Sequence, residues 1–167
     1  EPASSAFMVK PFQDAAVRQT VPKGAVYIPL FRFFLKADQA TTLDRLGFYQ
    51  VLGKSADFPR AHLAVQGKFV RETPLQVDNG FLSWDQLQIS MPKGKNLFFE
   101  IMMDLKKDVP DQAFYGFEFR GNESFQLQVP MKAHIQTSSF LADEVSIKNP
   151  GVALKLPSFS AKDQTIA

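Results

Sequence analysis

The stretch of sequence that decides the fold is FQLQVPMKAHI, which runs from Phe125 to Ile135. Every second position in it is apolar: Phe125, Leu127, Val129, Met131, Ala133 and Ile135. Most of the positions between them carry glutamine, lysine or histidine. Because a β-strand points successive side chains to opposite faces, this pattern predicts a half-buried strand. Pro130 cannot donate to a strand ladder, so an edge or a bend is expected there.

The same alternation continues through most of the chain and predicts an all-β fold. Further strands are predicted at residues 61–65, 68–71, 75–77, 81–84, 87–91, 97–105, 113–119 and 152–156. Asp78-Asn79-Gly80 and Gln66-Gly67 predict tight hairpin turns, because asparagine and glycine tolerate positive φ. Residues 42–46 have the composition of a short helix, but residues 47–51 are typical of a strand, which we favour.

One internal repeat in the sequence suggests two related strands. Residues 21–38 begin Val-Pro-Lys-Gly and end Leu-Lys-Ala-Asp, and residues 91–108 begin Met-Pro-Lys-Gly and end Leu-Lys-Lys-Asp. Each copy consists of a Pro-Lys-Gly turn, an extended stretch and a final Leu-Lys-x-Asp sequence. The two strands are therefore expected in facing or neighbouring positions.

The two copies differ in how polar their second face is. In the later copy one face is apolar and the other carries Glu100, Asp104 and Lys106. In the earlier copy strict alternation assigns the core face to Tyr27, Pro29, Phe31, Phe33 and Leu35. Its opposite face is also largely apolar and includes Ile28, Leu30 and Phe34.

A strand that is apolar on both faces needs covering on both faces. Pro29 suggests an edge position, where an apolar outer face invites aggregation unless another segment lies against it. Two alternatives follow for this edge, whose predicted acceptor residues are Ile28, Leu30 and Phe34. Either the chain's own C-terminal segment covers it, or an extended arm of a neighbouring subunit does.

Both ends of the chain offer candidate arms. The predicted organisation is an extended N-terminal arm (residues 1–20), a β-sandwich domain (21–148) and a C-terminal strand or arm (149–167). The donor candidates are Phe7, Val9, Phe12, Val17, Val152, Leu154 and Leu156. Short alternating segments of this kind serve in β-strand addition, but they are equally the first and last strands of a closed sandwich.

The segments PKGAVYIPL (residues 22–30), KADQATTL (36–43) and ISMPKG (89–94), with a long strand ending Met103-Asp104-Leu105, carry a family resemblance. Their order resembles that of immunoglobulin-like β-sandwich modules in bacterial surface-layer and other cell-envelope proteins. The likeness covers about residues 21–128. It implies an immunoglobulin-like β-sandwich with extended terminal segments, secreted to the cell surface and used without enzymatic activity for assembly or adhesion. Residues 156–160, LPSFS, depart from a sortase signal.

Composition narrows the classes of function. The 167 residues include no cysteine, which excludes thiol catalysis, cysteine-bound zinc, iron–sulfur clusters and the disulfide usual in chaperone–usher pilins. The formal net charge of +2, with scattered basic residues, argues against a nucleic-acid partner. No apolar run is long enough to span a membrane. The first residue, Glu1, is expected either to follow a cleaved signal peptide or to be a trimmed end.

Catalytic motifs are missing from the sequence. No Gly-x-Ser-x-Gly elbow, phosphate-binding glycine loop, dinucleotide fingerprint or His-Glu-x-x-His helix occurs. His62 and His134 lie on predicted strands, where outward-facing structural residues are more common than general bases. We therefore expect neither enzymatic activity nor a cofactor, with a small β-rich enzyme as the remote alternative.

Two weaker motifs concern ions and modification. Asp104, Asp108 and Asp111 supply hard oxygen ligands that suit calcium, but their spacing differs from an EF-hand and neighbouring lysines offset their charge. A solvated turn is the favoured interpretation. Asn122-Glu123-Ser124 matches the N-glycosylation pattern, which also arises often by chance.

The preferred function is a structural subunit of a bacterial filament or surface layer, polymerising with copies of itself or with neighbouring surface proteins by β-strand addition. The rival is a carbohydrate-binding or adhesion module. Sugar platforms present exposed tryptophan or tyrosine, and Trp84, Tyr49 and Tyr115 are the candidates, although core packing or a strand-end cover is the favoured interpretation of these three rings.

Overall fold

The computed structural model describes residues 6–11, 18–19, 21–109, 114–119, 121–129, 132–135, 140–141, 145–146 and 154–155. These residues form strands and two short 3₁₀ turns, Ser55–Asp57 and Gly121–Ser124, and no α-helix is found among them. The strands are β1 (Ala6–Pro11), β2 (Arg18–Gln19), β3 (Ile28–Ala37), β4 (Thr41–Leu52), β5 (Arg60–Val65), β6 (Lys68–Thr73), β7 (Gln76–Asp78), β8 (Phe81–Trp84), β9 (Ile89–Met91), β10 (Leu97–Asp104), β11 (Phe114–Phe119), β12 (Phe125–Leu127), β13 (Lys132–Ile135), β14 (Phe140–Leu141), β15 (Val145–Ser146) and β16 (Leu154–Lys155).

The predicted all-β fold is confirmed. The six-stranded sheet has the order β13-β1-β3-β10-β5-β6. The eight-stranded sheet follows β14-β11-β4-β8-β7, with β9 and β12 also pairing with β4 and β15 with β11. Pairing is antiparallel except between β1 and β13. Across the described ranges no helix has the length and apolar character needed to cross a bilayer.

An aromatic core joins the two sheets. Phe31 of β3 lies 5.3 Å from Phe48 of β4 and 4.4 Å from Phe119 of β11, measured between ring centroids. Phe33 of β3 adds an edge-to-face contact with Phe119 at 5.2 Å. These rings are almost fully buried, and truncating such a ring to alanine typically costs about 3–5 kcal/mol. The core side chains therefore hold the sheets face to face.

Turn chemistry read from the sequence is confirmed at both hairpins. Asn79 and Gly80, between β7 and β8, have φ of 51° and 84°, the left-handed pair that a tight two-residue turn requires. Gln66-Gly67 connects β5 to β6 in the same way. The ambiguous segment at residues 42–51 lies within β4, so the strand interpretation is confirmed.

The two copies of the internal repeat form two neighbouring strands, which confirms the prediction of facing or neighbouring positions. β3 and β10 pair antiparallel, and the turn that opens each copy contacts the end of the other. The N–H of Gly24 donates to the carbonyl of Lys106 at 3.2 Å, and the N–H of Gly94 donates to the carbonyl of Ala37 at 2.8 Å. The repeated motif therefore forms the centre of the six-stranded sheet.

The alternating stretch of residues 125–135 divides between the sheets. β12 pairs with β4 in the eight-stranded sheet, whereas β13 pairs with β1 in the six-stranded sheet. Pro130 lies between these strands, just outside the described residues. The expected interruption thus separates two strands in different sheets rather than bending one.

Candidate functional site

The predicted strand-acceptor edge lies on β3. β1 pairs with residues 33–37 of β3 on one side, and β10 pairs with β3 on the other. Phe34, for example, is opposite both Lys10 and Phe98. This half of β3 is therefore interior, and the prediction of an open edge there is wrong. The covering strand β1 belongs to the segment predicted to be an arm, residues 1–20.

A β-bulge changes the phase of side chains along β3. Phe31 pairs with Ile101 and Pro29 pairs with the next residue, Met102, so Leu30 is an extra residue in the ladder. Pro29 lacks the N–H that a regular ladder would use here, and bulges are among the places in a sheet where proline is accommodated. Strict alternation fails at this point.

The bulge explains why the predicted assignment of side chains to the two faces of β3 is wrong for some residues. Ile28 and Leu30 are each only 3% exposed and belong to the core, rather than to an acceptor face. Tyr27, assigned to the core by alternation, is 45% exposed, and Pro29 is half-buried. Phe34 lies beyond the bulge, on the outer face as predicted, and is half-buried.

The donor-arm candidates fall into two groups. Phe7 and Val9 are on β1 and are 1% and 0% exposed within their own chain, so they are part of the core. Leu154 lies on β16, whose backbone pairs with β2. The other candidates lie outside the described residues: Phe12, Val17, Val152 and Leu156.

The predicted glycan platform is not assembled. Trp84 and Tyr115 are 2% and 0% exposed, because both occupy core-facing positions on their strands. Tyr49 is half-buried, and its hydroxyl donates to Oε1 of Glu123 at 2.7 Å. Two of the three rings thus present no exposed face to stack on a sugar, and the platform prediction is wrong.

Tyr115 instead forms a buried hydrogen bond. Its hydroxyl donates to Oδ2 of Asp57 at 2.6 Å, and the Asp57 side chain also lies 3.5 Å from Nζ of Lys106. Burial, reinforced by the bond to Asp57, raises the pKa of the Tyr115 hydroxyl far above its ordinary value of 10.0. This pair is a structural link between β11 and the Ser55–Asp57 turn.

A first candidate site, the acid–aromatic corner, consists of Tyr27, His62, Phe69, Glu72 and Asp104. The Tyr27 ring stacks on His62 with centroids 4.1 Å apart and lies 5.8 Å from Phe69. Tyr27 and Phe69 are 45% and 50% exposed, whereas His62 beneath them is buried. Two exposed rings are therefore presented above a buried imidazole.

Carboxylates hold this corner in place. Oδ1 of Asp104 accepts the backbone N–H of Tyr27 at 2.8 Å and lies 2.8 Å from Nε2 of His62. Nδ1 of His62 is 3.4 Å from Oε2 of Glu72 but lacks hydrogen-bond geometry. The Tyr27 hydroxyl donates to Oε2 of Glu72 at 3.4 Å. The negative charge of this nearby carboxylate raises the pKa of the hydroxyl. Arg60 is the adjacent cation, and its Nη1 donates to the Glu72 carbonyl at 3.0 Å.

A second candidate site, the lysine notch, consists of Met8, Lys10, Phe34, Lys36 and Asn96. These residues line a cavity of about 190 Å³ where β1 meets β3. Phe34 and Met8 supply an apolar surface, and Lys10 and Lys36 place two ammonium groups beside it. The notch is suited to a group that is both apolar and negatively charged.

The corner and the notch lie on the same outer face of the six-stranded sheet. Along β10 the core-facing residues alternate with partly exposed ones, and Phe98, Glu100, Met102 and Asp104 form the outer row. Phe34 of the notch contacts Phe98 at 5.1 Å between centroids. Met102 is opposite His62 of the corner. A single partly apolar surface thus connects the two sites.

A third candidate site is a groove on the eight-stranded sheet. β8 and β9 both pair with β4, and residues 85–88 between them leave the ladder. Opposite this break Asp44 is an extra residue in β4, since Gln126 pairs with Arg45 and Leu127 with Leu43. Bulges commonly occur beside binding sites, where they redirect side chains.

The Gln86 groove, as we name it, has two hollows of about 290 and 390 Å³. Asp85 and Gln86 line both of them. The first is also lined by Arg71, Thr73, Pro74, Gln76, Ser83 and Trp84. The second is also lined by Asp44, Arg45, Gln88 and Gln126. Nearly all of these side chains are hydrogen-bond donors or acceptors.

The calcium alternative gains no support from the described residues, among which no group of three or more histidine or carboxylate side chains is arranged to hold a metal ion. Asp104 is engaged with Tyr27 and His62, and Asp108 is exposed beside Lys106. Asp111 lies outside the described residues, so the proposed set is not seen together.

Asn122 stays a predicted glycosylation position. It lies within the Gly121–Ser124 turn that connects β11 to β12, and its side chain is outside the described set. A turn is the location expected for such an acceptor.

Sequence reasoning missed both the corner and the groove. Strict alternation places Tyr27 in the core because it cannot reveal a bulge. The polar run Asp85-Gln86-Leu87-Gln88 between two apolar strands was the available signal for the groove, since it interrupts an otherwise regular pattern. The partnership of His62 with Asp104 had no sequence signal.

No protein-family model matches this sequence, and no curated protein gives a significant match. Function is therefore inferred from the corner, the notch and the groove.

Proposed function

We propose that this chain is a non-enzymatic structural subunit of an extracellular bacterial assembly, and that two copies associate through the outer face of the six-stranded sheet. The observation that carries this proposal is the presence of the acid–aromatic corner and the lysine notch on one face. The resemblance to cell-envelope modules supports the location and the finer assignment as an immunoglobulin-like sandwich.

The two sites are complementary in charge. Glu72 and Asp104 contribute two carboxylates to the corner, partly offset by Arg60, and the notch contributes the ammonium groups of Lys10 and Lys36. Both sites also expose apolar or aromatic surface. Complementary charge steers association and fixes register, while apolar contact supplies most of the affinity.

The separation of the sites favours contact between copies. Tyr27 immediately precedes β3 and Phe34 is the seventh residue of that strand, so the two are at most about 23 Å apart at roughly 3.3 Å per residue. One molecule cannot bring its own corner and notch together. A two-fold rotation places the corner of each copy against the notch of the other, so both pairs form in one symmetric dimer.

The face is large enough for a stable interface. Six strands of four to ten residues, at about 4.8 Å between strands and about 3.3 Å per residue, give a face of roughly 630 Å² per copy. This is at the lower end of the roughly 600–1,000 Å² per partner of a standard protein–protein interface.

Tyr27 has the properties of an interface anchor. It is a non-glycine residue with φ of 56°, a conformation that costs roughly 1–3 kcal/mol, and its ring is nevertheless exposed. Folding alone would favour glycine at this position. A rigid, exposed tyrosine is common among interface residues that contribute most to binding.

The mechanism differs from strand addition at β3. β1 already covers the half of β3 that carries Phe34, so an arriving strand would first have to displace it. Contact between sheet faces requires no such exchange. Phe34 keeps a role in this proposal, as part of the notch.

Charge reversal tests the proposal. Sedimentation velocity over a concentration series is expected to show reversible dimerisation of the unmodified protein, weakened by salt. Glu72→Lys and Lys36→Glu should each weaken dimerisation by more than about tenfold, because like charges then meet at both ends. Lys54→Glu, an exposed change in another loop, is the matched control and should have little effect.

Mixing the two variants gives the decisive comparison. Glu72→Lys and Lys36→Glu chains should form a heterodimer, since each corner then meets a notch of opposite charge. The doubly changed chain should regain self-association. A monomer at all concentrations, or equal effects of all three single changes, would contradict the proposal.

A further inference from the structure

The Gln86 groove is shaped by two strained residues. Gln86 and Gln88 both have φ of 55°, a left-handed conformation that is unfavourable for side chains other than glycine. Such residues concentrate at ligand-binding positions, where the surrounding structure holds them. The side chains of both glutamines are exposed and line the groove.

Specific hydrogen bonds hold this strained segment. The guanidinium of Arg71 donates from Nη1 to the carbonyl of Asp85 at 3.1 Å and from Nη2 to the carbonyl of Gln86 at 2.7 Å. The N–H of Leu87 donates to the carbonyl of Asp44 at 2.9 Å. The segment is thus fixed on both sides before any ligand arrives, which lowers the entropic cost of binding.

The chemistry of the groove favours an uncharged ligand. Asp44 and Asp85 balance Arg45 and Arg71, so these four side chains carry no net formal charge. The remaining polar lining consists mainly of amide and hydroxyl side chains, which donate and accept hydrogen bonds. A ligand that fits must do both.

Two buried donors in the lining have no acceptor among the described residues. Nε1 of Trp84 and Nε of Arg45 are both shielded from solvent without a hydrogen-bond partner. Leaving a buried donor unsatisfied is unfavourable, and each of these residues lines one hollow. An oxygen atom entering the groove could satisfy them.

We propose that the Gln86 groove binds a neutral, polyhydroxylated ligand, namely a segment of an uncharged saccharide chain. Hydroxyl groups donate to the carboxylate and amide oxygens and accept from the guanidinium and amide N–H groups at the same time. Two adjacent hollows on either side of Gln86 accommodate consecutive sugar units. This site is separate from the outer face of the six-stranded sheet.

Trp84 provides a direct readout because it is the only tryptophan in the chain. Its fluorescence and the NMR signal of its indole N–H are to be followed during titration with cellopentaose, maltopentaose and chitopentaose. At least one of these neutral probes should shift both signals, together with the amides of Gln86 and Gln88. Trigalacturonate, an anionic probe of similar shape, should bind at least about tenfold more weakly.

Variants connect binding to the groove. Gln88→Ala and Gln126→Ala should each weaken binding of the active probe by about tenfold, while Lys54→Ala leaves it unchanged. Gln86→Gly removes the backbone strain together with a ligand contact. It should leave the melting temperature unchanged or higher and still weaken binding, which separates a binding role from a folding role.

The titration should be repeated on Glu72→Lys chains, so that failure of dimerisation and failure of saccharide binding are distinguished. Absence of any shift with all three neutral probes at millimolar concentration would overturn the proposal. Equal binding of the anionic probe, or binding that survives both glutamine-to-alanine changes, would overturn it as well.

Discussion

The backbone N–H of Tyr27 donates a 2.8 Å hydrogen bond to Oδ1 of Asp104, which lies 77 residues farther along the chain. This bond joins the residue just before β3 to the last residue of β10 and holds Tyr27 at its positive φ. The same carboxylate oxygen contacts His62, over which the tyrosine ring stacks. One half-buried carboxylate therefore fixes an exposed aromatic side chain of the acid–aromatic corner.

Removing this carboxylate should release the corner. Asp104→Ala is expected to lower the free energy of unfolding by about 1–3 kcal/mol, because the Tyr27 N–H and His62 both lose an acceptor. Asp104→Asn keeps an acceptor oxygen and should lose less than about 1 kcal/mol. Urea denaturation measures both; equal losses for the two variants would show that the hydrogen bonds do not determine stability here.

The buried Tyr115–Asp57 pair should contribute measurably to stability. Tyr115→Phe removes the donor from a buried carboxylate and is expected to lower the free energy of unfolding by about 1–3 kcal/mol. Tyr49→Phe, which removes a more accessible bond to Glu123, is the matched control and should cost about 0.5 kcal/mol or less. A loss no larger than that of the control would refute the structural role of Tyr115.

Alkaline pH should weaken the fold through the same residue. The raised pKa of Tyr115 means that the folded chain keeps this proton at pH values where the unfolded chain, with an ordinary value of 10.0, releases it. Stability from this group is complete below pH 10 and falls above it, by up to about 1.4 kcal/mol per pH unit. Tyr27, whose pKa is also raised, acts in the same direction.

Unfolding measured between about pH 9 and pH 11 checks the sign. The unmodified protein should lose stability more steeply than Tyr115→Phe, because phenylalanine has no proton to release. Parallel curves would show that Tyr115 does not hold its proton more tightly in the folded state.

Gly47 is required by close packing between β4 and β8. A Cβ atom there would collide with the ring of Phe81 and would lie 2.9 Å from the carbonyl oxygen of Leu82. The ring can move but the backbone cannot, so Gly47→Ala should cost about 1–3 kcal/mol. Gly67→Ala, with no atom within 4 Å, should show only the cost of its positive φ, about 1 kcal/mol. A thermal melt in which Gly67→Ala is the more damaging change would contradict this packing.

The all-β character and the hairpins could be predicted because they depend on local patterns. Alternation at period two fixes which segments are strands, and Asn79-Gly80 fixes a turn through its own backbone preferences. The repeat between residues 21–38 and 91–108 predicted that β3 and β10 are facing or neighbouring strands, and they are neighbours. These features require no knowledge of distant contacts.

The face assignments of Ile28 and Leu30 could not be predicted, because an extra residue in a ladder reverses every side chain beyond it. Pro29 gave a signal that was interpreted as an edge, whereas it marks the bulge. The cover that β1 provides for β3 is likewise a long-range pairing. The sequence left the cover open between the chain's own C-terminal segment and an arm of a neighbouring subunit, and neither alternative named the N-terminal strand of the same chain.

Cysteine crosslinking tests the association of the two sheet faces most directly, since the chain contains no cysteine of its own. The doubly substituted chain Phe69→Cys/Met8→Cys, which keeps the charges of Glu72 and Lys36, is to be treated with a short bismaleimide, with Phe69→Cys/Lys54→Cys as the control. The expected result is a covalent dimer from the first chain, which forms less readily as salt increases, and little from the control. Only monomer, or equal crosslinking of the two chains, would contradict the proposed contact between corner and notch.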